Sequence, residues 1–195
     1  MYGLILLLNH VNTLVYVLAM DKRLTKMQWL DHGLKTLAFS GAGMLKAGSL
    51  AKSLGVTRGS FYWHFADVED FYRQLLAHWK KQATDSVIEH VEQLSEESDR
   101  LQILLENAMA DDQKLERAIR SWAVERQETA EVVAIVDKVR LDYIIGILPS
   151  PKVGHLEKAF TVKFIYWAYL GRMMMDSGDN DWDRSAIEKV AGLFR

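Results

Sequence analysis

Leu50-Ala51-Lys52-Ser53-Leu54-Gly55-Val56-Thr57-Arg58-Gly59-Ser60-Phe61-Tyr62, continuing into Trp63-His64-Phe65, is the stretch on which the fold turns. Leu50, Ala51 and Leu54 form the apolar stripe of a short helix, and the small Ala51 lets a neighbouring helix come close. Gly55 supplies the sharp turn because it admits a positive φ without steric cost. Val56 plugs the corner. Thr57 stands where a second helix begins, and its hydroxyl is expected to accept from a free N–H of the first turn. Phe61 and Phe65 face inward on that helix, leaving Arg58, Gly59, Ser60, Trp63 and His64 toward solvent.

Two short helices held at a fixed angle by a glycine corner are what a helix-turn-helix needs to lay its second helix in a major groove. Arg58 can pair with a guanine edge or clamp a phosphate. Thr57 and Ser60 can donate to phosphate oxygens, and Gly59 removes bulk where backbone approaches the duplex. The basic residues from Lys46 to Ala66 are Lys46, Lys52 and Arg58, and no Asp or Glu opposes them. Over residues 1–81 ten Lys/Arg meet five Asp/Glu, whereas over 82–195 fourteen meet twenty-one. A basic front on an acidic body puts any polyanion site in the N-terminal part.

Outward from this core the pattern is helical throughout. Met27, Leu30, Leu34 and Leu37 recur at three- and four-residue steps from Thr25, and Gly41-Ala42-Gly43 ends that run. Asp67 is expected to cap a long helix, with Glu69 and Asp70 in its first turn. Val68, Tyr72, Leu75, Trp79, Ala83, Val87, Val91 and Leu94 keep one face of it apolar. The polar run Ser95–Asp99 is the clearest break in composition. Beyond it helices are expected near 99–110, 112–126, 128–148, 153–176 and 183–194. Only Pro149 and Pro151 interrupt, and 49% of residues are apolar, so an all-α protein with a packed core is expected. No cysteine is present, which excludes disulfides and thiolate metal sites and suits a cytoplasmic home. The expected organisation is an apolar extension over 1–20, a three-helix helix-turn-helix domain over 21–80, and a larger helical regulatory and dimerisation domain over 81–195.

Residues 1–20 carry no charge. They lack the basic start and cleavage site of a signal peptide, and Asn9, His10, Asn12 and Thr13 interrupt a transmembrane stretch. The favoured account is that translation starts at Met20. The alternative is a membrane-anchored helical protein whose basic domain serves membrane or partner contact.

The string Gly55-Val56-Thr57-Arg58-Gly59-Ser60-Phe61-Tyr62-Trp63-His64-Phe65 resembles the signature of the tetracycline-repressor (TetR) family of bacterial regulators. The resemblance covers residues 24–80 well and the remainder as a helical body of suitable length. It implies that Tyr62 and His64 grip the DNA backbone, and that Phe61 and Phe65 pack the small domain. Two positions depart from the pattern. Lys46 stands where the family has a Thr or Ser cap, and Val68 where it has a phosphate-contacting lysine, a contact Lys46 could replace. The DNA-binding set is therefore Lys46, Thr57, Arg58, Gly59, Ser60, Tyr62, Trp63 and His64.

In the body, Phe160, Phe164, Trp167, Gly171 and Met174 form one apolar stripe and Ile165, Tyr169 and Met173 another, so this helix must be covered on two sides. The first stripe, with Ile187, Val190 and Phe194 of the terminal helix, is the expected interface of a homodimer, and TetR-like proteins dimerise through their last two long helices. A two-fold dimer suits a palindromic operator. Met109, Trp122, Tyr143, Ile144 and Trp167 are the expected lining of a small-molecule pocket, the usual means of control in such regulators. Asp137 and Arg140 are expected to pair on the surface. The histidines lack metal-ligand spacing, no catalytic constellation can be assembled, and neither cofactor nor metal is expected. The function expected is that of a dimeric repressor of transcription, relieved by a small molecule.

Overall fold

The computed structural model describes residues 24–94, 99–110, 113–148, 158–175 and 184–192. The expectations for residues 1–20, and for Phe194, fall outside them, as do those for the side chains of Met109 and Val190. Among the described residues the chain is all helix, with no strand. No helix there is long and apolar enough to cross a membrane.

Four helices make the N-terminal unit: α1 (Lys26–Ser40), α2 (Ala47–Ser53), α3 (Arg58–His64) and α4 (Val68–Lys80). Thr25 starts α1 with a reciprocal capping box, its Oγ1 accepting from the Gln28 N–H while the Gln28 side chain accepts from the Thr25 N–H. Gly41 ends the helix as expected, and a 3-10 turn over Ala42–Met44 leads to α2. Asp67 caps α4 by accepting from the Asp70 N–H at 2.7 Å.

The long helix expected after Asp67 is not uniform. A π turn over Lys81–Asp85 separates α4 from α5 (Ser86–Leu94). Lys80 Nζ bridges it, donating to both carboxylate oxygens of Asp85 at 2.9 Å. The body continues with α6 (Arg100–Ala110), α7 (Lys114–Glu125), α8 (Gln127–Ile147), α9 (Lys158–Met175) and α10 (Arg184–Gly192). Each matches an expected segment to within a few residues, except that the described part of α9 begins later.

Two apolar cores result. The first holds Trp29, Leu34, Leu50, Phe61, Phe65, Phe71, Leu75 and Trp79, and runs on into Ile119 and Trp122 of α7 and Val133 and Val136 of α8. The second gathers Leu101 and Leu105 of α6, Ile144 of α8, Val162 and Tyr166 of α9 and Ile187 of α10. Polar ties reinforce the first: His78 Nε2 meets Asp31 Oδ1 at 2.7 Å, His32 Nε2 meets Ser53 Oγ at 2.6 Å, and the Tyr72 hydroxyl donates to the Leu45 carbonyl at 3.1 Å.

The crossing of α1 and α4 depends on Gly33. A Cβ there would stand 2.7 Å from Phe71 Cζ and 2.9 Å from Leu75 Cδ1, both in buried side chains with nowhere to retreat. Gly33→Val is expected to destabilise the protein by about 1–3 kcal/mol, the usual result of overpacking, as read from urea unfolding. A variant as stable as the parent would show that α1 and α4 are not packed this closely.

Candidate nucleic-acid interface

Helix α3 has seven residues, too few to persist without packing, and its fixed point is Phe61. That ring is fully buried, meeting Trp29 edge-on at 5.4 Å between centroids, Phe65 at 5.0 Å and Phe71 at 5.3 Å. With Phe61 pinned inward, helical geometry turns Arg58, Gly59, Tyr62 and Trp63 outward, and all four are exposed; Trp63 shows 76% of its surface. Ser60 is half-buried. Gly55 makes the corner at φ +67°, the left-handed region that a side chain disfavours.

Arg58 and Tyr62 act as a pair. Arg58 Nη2 donates to the Tyr62 hydroxyl at 2.9 Å, and the guanidinium lies 5.4 Å from the ring centre. The tyrosine thereby holds the cation over the outer face of α3. Lys46 and Lys52, on the preceding turn and helix, are exposed as well.

Two details differ from the sequence-based picture. Thr57 occupies the N-cap position of α3, but its hydroxyl makes no capping bond, which leaves Oγ1 facing outward 3.7 Å from the point where a Cβ of Gly59 would lie. Lys46 holds the N-cap position of α2, as the sequence indicates, and makes no side-chain cap. His64 turns partly inward, its Nε2 2.6 Å from the Leu24 carbonyl oxygen. It ties the end of α3 to the segment before α1, a contact that no local pattern predicts.

The body contains a cavity of about 260 Å³, bounded by the α4–α5 region, α6, α7, α8 and α9. Tyr143 and Ile144 line it, as expected. Trp122 and Trp167 do not. Trp122 lies in the first core, edge-on to Tyr72 at 5.0 Å, and Trp167 points away from the body with 57% of its surface exposed. Periodicity marked both as apolar, but it could not say which side of a two-sided helix would face inward.

Asp137 and Arg140 do not form a surface pair. Arg140 Nη1 and Nη2 donate to the two oxygens of Glu116 at 2.9 and 3.2 Å, Nε donates to Thr84 Oγ1 at 3.0 Å, and Nη2 also reaches the Ala83 carbonyl at 3.2 Å. Arg120 takes Asp137, with bonds of 2.6 and 3.1 Å, and shares Glu116 at 2.8 Å. The Tyr166 hydroxyl donates to Asp137 at 2.7 Å. Burial works to raise the Asp137 pKa, but the hydrogen bonds from Arg120 and Tyr166 outweigh it and hold the carboxyl below its ordinary range. Two cations and two anions thus close on themselves across α7 and α8 and onto the π turn.

The α9 stripes separate cleanly. Met173 is buried, with Ile165 and Tyr169 packed against the second core, whereas Phe160, Phe164, Trp167, Gly171 and Met174 are exposed. Ile187, expected beside them at an interface, is instead 4% exposed in the chain's own core against α6 and α9.

No family model matches the chain. A segment of 51 residues, 26% of the chain, is 37% identical to the HTH-type transcriptional regulator AcrR of Shigella flexneri, and the match spans 24% of that regulator's length. A TetR-family transcriptional regulator of Mesorhizobium loti superposes with a TM-score of 0.62 at 16% identity, over 85% of this chain and 90% of that one. The chain thus shares its fold with a TetR-family regulator and, over the 51 matched residues, is similar to an HTH-type regulator. Two further solved structures share the fold. The regulator FadR of Bacillus subtilis, solved with stearoyl-CoA, gives a TM-score of 0.63 at 18% identity over 87% of this chain and 97% of that chain. The fatty acid degradation regulator FadR of Bacillus halodurans gives 0.61 at 18% identity over 87% and 93%.

Gly55→Val is expected to cost about 1–2 kcal/mol from the left-handed backbone alone, visible as a lowered urea midpoint; an unchanged midpoint would contradict the turn. Arg140→Met leaves Glu116 with half of its partners, and breaking a buried pair costs about 3–5 kcal/mol. The double variant Glu116→Gln/Arg140→Met should recover part of that loss. Equal destabilisation in single and double variants would show that the two side chains do not depend on each other.

Proposed function

We propose that the protein is a DNA-binding transcriptional regulator, a homodimeric repressor of a palindromic operator released when a small molecule fills the body cavity. The observation that carries the proposal is the outer face of α3. Arg58, braced by Tyr62, stands with Trp63 on a helix whose opposite face is locked by Phe61. Lys46 and Lys52 flank it, and no carboxylate occurs from residue 46 to residue 66. Such a surface can enter a major groove, place a guanidinium on a base edge and rest hydroxyls on phosphates. The contacts proposed are Lys46, Thr57, Arg58, Gly59, Ser60, Tyr62 and Trp63, with His64 setting the end of the helix.

Dimerisation is proposed through the exposed stripe Phe160, Phe164, Trp167, Gly171 and Met174, whose spacing fits a helix laid against its symmetry mate. Two copies of α3 would then meet successive major grooves.

The cavity and α3 are joined by one rod. Three residues separate the end of α3 from the start of α4, and the π turn that follows α4 contributes Gln82, Ala83 and Thr84 to the cavity wall. At the α7–α8 corner Arg126 pairs with Glu69 in the first turn of α4 and lies 5.2 Å over the Tyr72 ring. A ligand that displaces the wall displaces α4, and release follows if the ligand prefers the dimer geometry whose heads no longer fit the duplex.

The test is a gel shift against DNA fragments selected from the source genome. The protein should bind a discrete set, with affinity falling steeply as salt rises. Arg58→Ala should weaken that binding by a factor corresponding to about 1–3 kcal/mol without lowering the unfolding midpoint. Undiminished affinity in this variant removes Arg58 from the interface, and no preference among fragments overturns the proposal.

A further inference from the structure

We infer that Tyr62 sets the sequence selectivity of the α3 face by holding Arg58 in one pose, which makes it a positioning residue for the base-reading cation. The inference rests on the regulator proposal for the duplex that Arg58 meets, whereas the brace belongs to the free chain. Arg58 and Tyr62 stand at i and i+4 on α3, so their side chains share one face. Arg58 Nη2 donates to the Tyr62 hydroxyl at 2.9 Å, and the guanidinium carbon lies 5.4 Å from the ring centre. The ring contact limits how far the guanidinium can swing from the helix, and the hydrogen bond limits how it turns. Tyr62 can serve as an anchor because it is anchored itself. Its ring meets the fully buried Phe61 edge-on at 5.3 Å, while 43% of its own surface stays exposed.

The other two cations of this face are not held. Among the described residues the Lys46 and Lys52 ammonium groups have no hydrogen-bond or ion-pair partner. Such long, free stems meet a phosphate wherever a duplex presents one, which gives affinity without choice of sequence. Reading a base edge requires a planar fork delivered at a defined angle. A loose arginine loses much rotamer freedom on docking, and one already held loses less.

The chemistry of the brace matters as much as its place. A carboxylate would grip Arg58 more strongly, but it would cancel the charge that a polyanion seeks. A phenol holds the guanidinium and leaves it cationic. No Asp or Glu occurs from residue 46 to residue 66, so within this segment the phenol has no acidic competitor for Arg58. The bond uses one of the five N–H groups of a guanidinium, and the other four exceed the two that a guanine edge accepts.

Tyr62→Phe removes the hydroxyl and keeps the ring. The full chain is titrated by fluorescence anisotropy, at one salt concentration, against two duplexes: the tightest fragment selected from the source genome, and a shuffled fragment of equal length and composition. The ratio of the two affinities is the readout, because any contact of the Tyr62 hydroxyl with a phosphate is lost from both duplexes and cancels. Tyr62→Phe should lower this ratio about three- to tenfold, the worth of one hydrogen bond. The same change made in Arg58→Ala should leave the ratio where Arg58→Ala alone puts it. In the DNA-free chain, nitrogen-15 relaxation at Arg58 Nε should show an ordered guanidinium in the parent and a mobile one in Tyr62→Phe. An unchanged ratio overturns the inference, as does a loss of ratio that persists without Arg58, or an Nε equally mobile in both proteins. A parent chain that prefers neither fragment overturns the regulator proposal instead, and the Nε relaxation then judges the brace on its own.

Discussion

The burial of Phe61 is the constraint from which the N-terminal unit follows. A seven-residue helix has no independent stability, so α3 exists because one ring on its inner face is enclosed by Trp29, Phe65 and Phe71. That enclosure fixes the rotation of the helix about its axis, and the rotation decides that Arg58, Tyr62 and Trp63 face outward. Phe71 belongs to α4, which also packs on α1 at Gly33. The orientation of α3 is therefore set by α4 as much as by the turn before it, and neither helix can shift alone without opening the aromatic cluster.

At the far end of the same rod the controlling interactions are electrostatic. Arg140 bonds to Thr84 and Ala83 in the π turn and to Glu116 on α7. Interrupted helical turns of this type commonly mark functional positions, since one extra residue is held in the helix at an energetic cost. Here the cost is offset by side-chain bonds, including the Lys80 to Asp85 bridge across the turn. A coupling of about 1–3 kcal/mol is typical between linked sites, no more than one or two of these bonds can supply.

Much of this was legible in the residues. The α2–turn–α3 segment could be read because each position has a distinct local demand: a small residue at Ala51, a positive φ at Gly55, aromatic anchors at Phe61 and Phe65. Helix positions in the body were legible for the same reason, since heptad-like apolar spacing survives any tertiary arrangement. What could not be read was where two-sided helices put each side. Trp122 and Trp167 look alike in sequence, yet one fills the first core and the other faces outward. The buried ion network is hidden in the sequence for a subtler reason. Asp137 and Arg140 sit i and i+3 on α8, the spacing of a surface pair, but they also fall in line with the buried Val133, Val136 and Ile144. Glu116 likewise shares the inner side of α7 with Ile119. Charges on an apolar stripe are the signal for a buried network, because a lone charge there would be too costly to keep. Nothing local foretold that His64 would turn back to Leu24, a contact forty residues distant.

Helix α9 brings the two halves of the functional argument together. Its inner side gives Ile165, Tyr166 and Tyr169 to the cavity, and its outer side carries Phe160, Phe164, Trp167 and Met174. If the outer side meets a second copy, as proposed, the helix that borders the ligand also borders the partner. A guest in the cavity then acts on two levers at once, the rod that aims α3 and the helix that spaces one α3 from its mate. Packed interiors resist continuous deformation, so the two levers would move together between discrete arrangements. The Ile187 contact places α10 firmly within its own chain's core, so a rearrangement of α9 is resisted from behind by α6 and α10. That resistance leaves the α4 side as the softer wall, because there the barrier to movement is a set of exchangeable hydrogen bonds at a π turn and not a filled apolar core.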